Sequence, residues 1–188
     1  MPTTVFTIGH STHPLEELVE MLAAHGVTTL VDVRTIAKSR HNPQYMEDAL
    51  AVSMPANGIR YVRLEELGGL RRTTKETVNG GWRNASFRGY ADYMQTPEFV
   101  AGIDQLLGIA REQNTAIMCA EAVPWRCHRS LIGDALLVRG VPVLDIMTAT
   151  SAKPHTMTRF ARVEGRQITY PPEPETAPVQ PTLPGLEE

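Results

Sequence analysis

Five short apolar runs, spaced so that amphipathic segments fit between them, constrain the fold of this chain more than any other feature. They fall at residues 4–8, 28–33, 59–63, 115–119 and 142–147. Between the first two, Pro14 stands at a first helical position, Leu15, Leu18, Val19 and Leu22 share one helical face, and Gly26 ends the segment. A short helix is expected at about residues 43–54. Pro97 opens another through Phe99, Ile103, Leu106, Leu107 and Ala110, and residues 127–139 read as the next. Apolar strands alternating with helices predict an α/β fold: a mostly parallel five-stranded sheet with helices on both faces, in a Rossmann-like three-layer arrangement.

A length of 188 residues with 42% apolar content suffices for one core, so a single domain over residues 1–170 is expected. Residues 64–86 form an irregular insertion rich in Gly, Arg and Thr. After Thr148 the pattern decays, and residues 162–170 add a short edge strand or hairpin. The Pro- and Glu-rich tail, residues 171–188, has almost nothing to bury and is expected to be disordered.

Composition narrows the function classes. No apolar run approaches the roughly 20 residues needed to span a bilayer, and the first residues carry no signal-peptide pattern. Two cysteines are too few for a disulfide framework, which predicts a reducing, cytoplasmic location. Of 21 acidic and 18 basic residues, five acids and Arg166 lie from Glu164 onward, leaving 16 acidic and 17 basic groups in the body. That near-neutral body lacks the polybasic surface of a non-specific nucleic-acid binder. No Walker loop, G-x-G-x-x-G or G-x-S-x-G motif is present, so triphosphatase, dinucleotide and serine-hydrolase classes lack their fingerprints.

The chemistry gathers at the ends of the apolar runs. In open parallel sheets ligands bind outside the carboxyl ends of the strands. The first strand ends in His10 and Ser11, the second in Asp32 and Arg34, and the third leads to Glu65 and the Gly68–Gly69 turn. The fourth leads into Cys119-Ala-Glu121-Ala-Val-Pro-Trp-Arg-Cys127-His128-Arg129, which holds both cysteines of the chain. The fifth ends near Asp145. One fold rule therefore carries residues distant in sequence to one rim. Cys119, Glu121, Cys127 and His128 are the candidate catalytic groups. His10, Ser11, Asp32, Arg34, Gly68, Gly69 and Arg129 are the candidate substrate-binding ones.

Each residue also has a plainer role. Cys119 ends a buried strand, where unreactive cysteines are common, and Cys127 lies one helical turn before Leu131 and can simply face the core. Against that, the first turn of a helix beside Arg126 or Arg129 lowers a thiol pKa and makes a nucleophile. Arg129 either pairs with Glu121 or Asp32 or holds an anion. His10 and Ser11 either cap the first helix or serve the rim; His13, His25 and His155 read as surface or capping residues. In the insertion, Arg71, Arg72, Lys75, Trp82, Arg83, Phe87 and Arg88 interleave charge with aromatic rings. That suits a lid over a nucleotide or base, and equally a solvated loop with aromatic anchors. Cys119, Cys127 and His128 with Glu121 or His10 make a mixed-ligand zinc site conceivable, although a close Cys-x-x-Cys pair is lacking.

Taken together, Thr7-Ile-Gly9-His10-Ser11, Val31-Asp32-Val33-Arg34, Leu67-Gly68-Gly69, Gly89-Tyr90-Ala-Asp92-Tyr93-Met94 and the Cys119–Arg129 segment resemble the bacterial domain-of-unknown-function 488 family. The resemblance runs from about residue 3 to residue 171. It implies a compact α/β domain without an assigned reaction, and it marks Gly9 together with the rim residues named above. Two positions depart from the family pattern: Ala37 stands where relatives usually have proline, and Asp145 where a histidine is common. Two functional classes follow. One is a hydrolase or transferase acting on a small anionic or nucleobase-containing substrate. The other is a non-catalytic module binding a nucleotide, an anion or single-stranded nucleic acid.

Overall fold

A computed structural model describes residues 3–174; the rest of the acidic tail, where disorder was expected, lies outside the described residues. The chain runs β1 (Val5–Gly9), α1 (Leu15–Ala24), β2 (Thr29–Asp32), α2 (Glu47–Ala56), β3 (Arg60–Arg63), α3 (Ala85–Tyr93) and α4 (Pro97–Glu112). It continues through β4 (Thr115–Cys119), α5 (Arg129–Leu137), β5 (Val143–Thr148), β6 (Ser151–Pro154), β7 (Arg162–Glu164) and β8 (Gln167–Thr169).

The main sheet has the order β3-β2-β4-β1-β5-β6. The five expected strands are parallel, and β4 returns to lie between β2 and β1. Period-two alternation then divides the apolar residues between two cores. Val5, Val31 and Ile117 pack with Tyr90, Phe99, Ile103, Leu131 and Ile132 from α3, α4 and α5. Leu30, Ala116 and Met118 pack with Leu18, Leu22, Leu50 and Met54 from α1 and α2. Helices thus cover both faces, as the apolar character of the central strands requires, while β3 at the edge, Arg-Tyr-Val-Arg, is only partly buried.

The sheet is six-stranded rather than five-stranded. The added β6 runs antiparallel to β5, with Asp145 opposite Lys153 and Ile146 opposite Ala152. Its sequence, Ser-Ala-Lys-Pro, has no apolar signature because an edge strand is covered on one side only. Lys153 and Pro154 suit an edge that must not recruit another chain. Residues 162–170 do form a hairpin, β7–β8, as a separate two-stranded sheet whose Ile168 and following Tyr170 return to the core.

Helix α3 lies where the sequence reading assigned no element. The Asn84 side chain accepts hydrogen bonds from the Ser86 and Phe87 amides, and Tyr90, Ala91 and Met94 bury one face. Its other task is to hold the insertion. Asp92 accepts from Thr74 N and Oγ1, Thr77 Oγ1 and Asn79 Nδ2 at 2.5–3.2 Å. Tyr93 donates to Glu66 O at 2.6 Å, and the Arg71 guanidinium lies 3.7 Å over its ring. Trp82 packs on Phe87, Phe160 and Tyr170, with ring centroids 4.8–5.5 Å apart. Trp82 thus anchors the insertion to the body of the domain, while Phe87, which stacks on it, also faces the cleft described below.

Candidate active site

Three loops at the carboxyl ends of β2, β3 and β4 enclose a cleft of about 330 Å³. Arg34, Thr35 and Ile36 line it from the first loop, Gly69 and Leu70 from the second, and Cys119, Ala120, Glu121, Arg126, Cys127 and His128 from the third. Ser86, Phe87 and Tyr90 of α3 complete the wall. Segments 85 residues apart in sequence thus meet where the topology rule places a ligand.

At the floor, Cys127 immediately precedes the N-cap of α5. The amide of Arg129 points at Cys127 Sγ from 3.5 Å, and helix amides and dipole favour negative charge there. His128 Nδ1 stands 3.6 Å from the same sulfur, while His128 Nε2 is 2.9 Å from the Val33 carbonyl. A carbonyl only accepts, so Nε2 carries a proton and Nδ1 is the ring nitrogen that faces the thiol. The ring's position is fixed by Tyr90, whose centroid lies 4.9 Å away and whose hydroxyl donates to Leu67 O at 2.8 Å. It is fixed from the other side by Gly69, where a Cβ would come within 3.0 Å of Nδ1.

Burial would push the Cys127 thiol up. Hydrogen bonds from Cys119 and His128 and the charges of His128 and Arg129 outweigh it and hold the thiol well below its ordinary range. Cys119 moves the opposite way: burial and the neighbouring Cys127 keep it protonated, and its thiol also faces Glu121 O at 3.8 Å. The same surroundings therefore push the two thiols apart, Cys127 toward the thiolate and Cys119 toward the thiol.

Arg129 pairs with neither Glu121 nor Asp32 through a carboxylate. Only 1% exposed, it donates to Glu121 O at 2.9 Å, to Ala122 O at 3.2 Å and to Thr7 Oγ1 at 3.5 Å, while its Nε has no partner. A buried guanidinium whose partners among the described residues are uncharged carbonyl and hydroxyl oxygens leaves net positive charge beneath the cysteines, which a thiolate offsets. Gly9 makes this arrangement fit: a Cβ there would lie 1.7 Å from the Glu121 carbonyl oxygen. The Glu121 carboxylate itself turns outward to the rim, exposed.

The remaining candidates form a layer under the cleft rather than its wall. Asp32 is fully buried and accepts from Arg34 N, Nε and Nη2 and from the Tyr61 hydroxyl at 2.6–3.1 Å, with Arg63 at 3.5 Å. Burial opposes its ionisation, but the Arg34 and Tyr61 contacts outweigh that and hold the carboxyl below its usual range. His10 Nδ1 donates to Ser11 O at 2.8 Å, and its Nε2 accepts from Arg34 Nη1 at 3.2 Å while the ring stacks on Tyr45. Burial and the positive Arg34 push its pKa down to about 4, so the ring is neutral and serves to position Arg34. Ser11 takes a left-handed turn, φ 45°, that lets its amide donate to Ala120 O. Gly68 admits Thr35, whose hydroxyl donates to Gly69 O at 2.6 Å.

Both nitrogens of His10 are occupied and Glu121 faces outward, so the mixed-ligand set does not assemble. Among the described residues no three His, Cys, Asp or Glu side chains are arranged to hold a metal ion.

His155, expected at the surface, is half-buried with its side chain turned inward. Its side chain is 6% exposed and lies between Asp134 Oδ1 at 3.0 Å and Asp145 Oδ2 at 3.4 Å. Those carboxylates are held in turn by the Tyr170 hydroxyl at 2.8 Å and Thr7 Oγ1 at 2.6 Å. Against burial, they raise the imidazole to about 9. No spacing in the sequence signals this contact, because a lone histidine past the last apolar run has no register; the pairing of Asp145 with Lys153 across β5 and β6 is what brings His155 to it.

No curated protein and no solved structure matches the chain. No helix among the described residues is long and apolar enough to cross a membrane. A family model described as Domain of unknown function DUF488 matches residues 14–136, well over half of the chain. The match starts after His10 and Ser11 and takes in Asp32, Arg34, both glycines and the whole Cys119–Arg129 segment. The chain therefore belongs to the DUF488 family.

Proposed function

We propose that this protein is a cysteine-dependent enzyme of hydrolase or transferase type, acting on a small anionic or nucleobase-containing substrate in the cleft. The observation that carries this is the relay from the Val33 carbonyl through His128 to the Cys127 sulfur, opening on a cleft above an arginine that has no carboxylate partner among the described residues. A thiolate so held attacks an electrophilic centre, and the proton on His128 Nδ1 passes to the leaving group. Nδ1 then takes a proton from water or from an acceptor, which releases the product from sulfur. Exposed Arg126 and the edge of Arg34 supply positive charge for an anionic group. Phe87, Tyr90, Ile36 and Leu70 offer an apolar wall for a ring. Glu121 is placed at the rim to accept a hydrogen bond or a proton. A pair of free thiols suits a reducing cytoplasm.

The test is turnover of a panel of activated esters, phosphoesters and nucleosides, with intact-mass detection of an adduct on Cys127. Loss of both turnover and adduct in Cys127→Ser, with slowing in His128→Gln, is expected. Both Cys127→Ser and Glu121→Gln should stay folded, Glu121→Gln with the wild-type melting profile and Cys127→Ser with a lowered midpoint, because it loses the charge opposite Arg129. If both unfold, the residues are structural and the proposal fails. Retention of single-stranded nucleic acid at low salt, without turnover of any panel member, would favour the binding-module class instead.

A further inference from the structure

The Cys119–Arg129 segment walls two clefts. Arg126, Cys127 and His128 face one. Pro124 and Trp125 face another, of about 400 Å³, on the side of β5 and β6. The two share no lining residue. Asp145, expected at the mouth where the strands end, belongs to the second. A volume of that size is in the range that holds a small organic ligand.

This second cleft offers an aromatic face and a free charge. Trp125 is 65% exposed, yet its backbone is fixed by the 3-10 turn Pro124–Arg126. Arg126 N donates to Val123 O at 3.2 Å and Cys127 N to Pro124 O at 3.0 Å. Trp82 is covered by Phe87, Phe160 and Tyr170, whereas the Trp125 ring stacks on no other among the described residues. With Met147, Pro124 and Pro154 it makes an apolar surface in a concavity, where a flat ring stacks. Asp145 is engaged inward: its Oδ1 accepts from Thr7 at 2.6 Å, and its Oδ2 lies 3.4 Å from His155 Nδ1. The other nitrogen of His155 is held by Asp134. Lys153 stands opposite Asp145 in the β5–β6 register, but it is exposed and makes no ion pair among the described residues. Trp82 also lines the cleft, and its buried Nε1 has no hydrogen-bond partner among the described residues. A free ammonium and an unpaired N–H both favour an acceptor-rich ligand.

We propose that this second cleft binds a flat aromatic ring bearing an anionic group, with the ring against Trp125 and the anion on Lys153. Nucleoside monophosphates and simple aryl phosphates share that chemistry. A ring alone leaves the ammonium unanswered, and an inorganic anion leaves Trp125 bare, so neither part holds well without the other. Lysine serves here as a point charge, which suits a phosphate without fixing its orientation.

The full-length protein, isotope-labelled at nitrogen, has only Trp82 and Trp125 to give indole N–H resonances, and Trp125→Phe assigns them. It is titrated by NMR and by calorimetry with adenosine monophosphate, phenyl phosphate, adenosine and inorganic phosphate. At least one of the two aromatic phosphates should bind saturably and move the Trp125 resonance; whichever binds tighter tells a nucleotide from a plain aryl anion. Adenosine and inorganic phosphate should bind about tenfold more weakly, or not at all. Lys153→Met and Trp125→Ala change exposed side chains and should melt like the wild type, yet each should weaken binding about tenfold. Arg126→Ala, across the loop in the Cys127 cleft, should leave the affinity unchanged. Binding that survives Lys153→Met and is lost in Arg126→Ala puts the anion in the other cleft and overturns the proposal. Absence of saturable binding by both aromatic phosphates overturns it too, as does binding that leaves the Trp125 resonance in place.

Discussion

Raising the pH should weaken this fold through one buried imidazole. His155 is held at about 9 against 6.5 for a free histidine, because Asp134 and Asp145 flank it in a pocket that leaves 6% of the side chain exposed. Below about pH 6.5 the folded and unfolded chains both hold the proton, and the contribution is complete. Between there and about pH 9 the unfolded chain has released it and the folded chain has not, so stability falls by roughly 1.4 kcal/mol per pH unit. The total lost is roughly 3 kcal/mol, a large share of the 5–15 kcal/mol typical of a domain. Cys127 acts in the same window with the opposite sign, since its lowered pKa adds stability as pH rises toward the ordinary thiol range. The quantity to measure is therefore the difference in urea-unfolding free energy between the wild type and His155→Gln, taken across that window. A difference shrinking by about 3 kcal/mol with rising pH is expected, with the His155 ring resonance titrating near 9 by NMR. A difference that does not change with pH would refute the charged cluster.

Three further outcomes follow from the same contacts. Gly9→Ala places a Cβ 1.7 Å from the Glu121 carbonyl, so the loop must leave Arg129. A cost of about 2–3 kcal/mol in urea melts is expected, with slower labelling of Cys127. Asp32→Asn strips a carboxylate from buried Arg34 and should cost about 3–5 kcal/mol, or prevent folding, by the same assay. His10, lowered to about 4, is neutral when folded, so stability should decline as pH falls from about 6.5 toward 4. That acid limb should be missing in a His10→Gln difference curve.

The sheet was legible because parallel strands buried on both faces are written as apolar runs; β6 was not, because an edge strand beside solvent needs no such run. The convergence of Arg34, Gly69, Cys119 and His128 on one cleft follows from parallel strands ending at one edge of the sheet, while His10, Ser11 and Asp145, expected at the same mouth, do not line it. What the sequence could not divide was the cleft wall from the layer beneath it. His10, Asp32 and Arg129 lie at strand ends or a helix start like the wall residues, but their neighbours Tyr45, Tyr61 and Thr7 turn them inward. Those partners lie 29 to 122 residues away and follow no spacing rule. Helix α3 was hidden by Gly89, which weakens a helical pattern and yet is needed where the Arg71 carbonyl comes within 2.1 Å of a Cβ position.

The whole account rests on a single ionised sulfur. Ultraviolet titration of thiolate absorbance across pH, on the wild type and on Cys119→Ser and Cys127→Ser, tests it most directly. One thiolate already present near neutral pH, and lost only in Cys127→Ser, is the expected result. Two thiols ionising together at about 8.5, the value for a free cysteine, would contradict it.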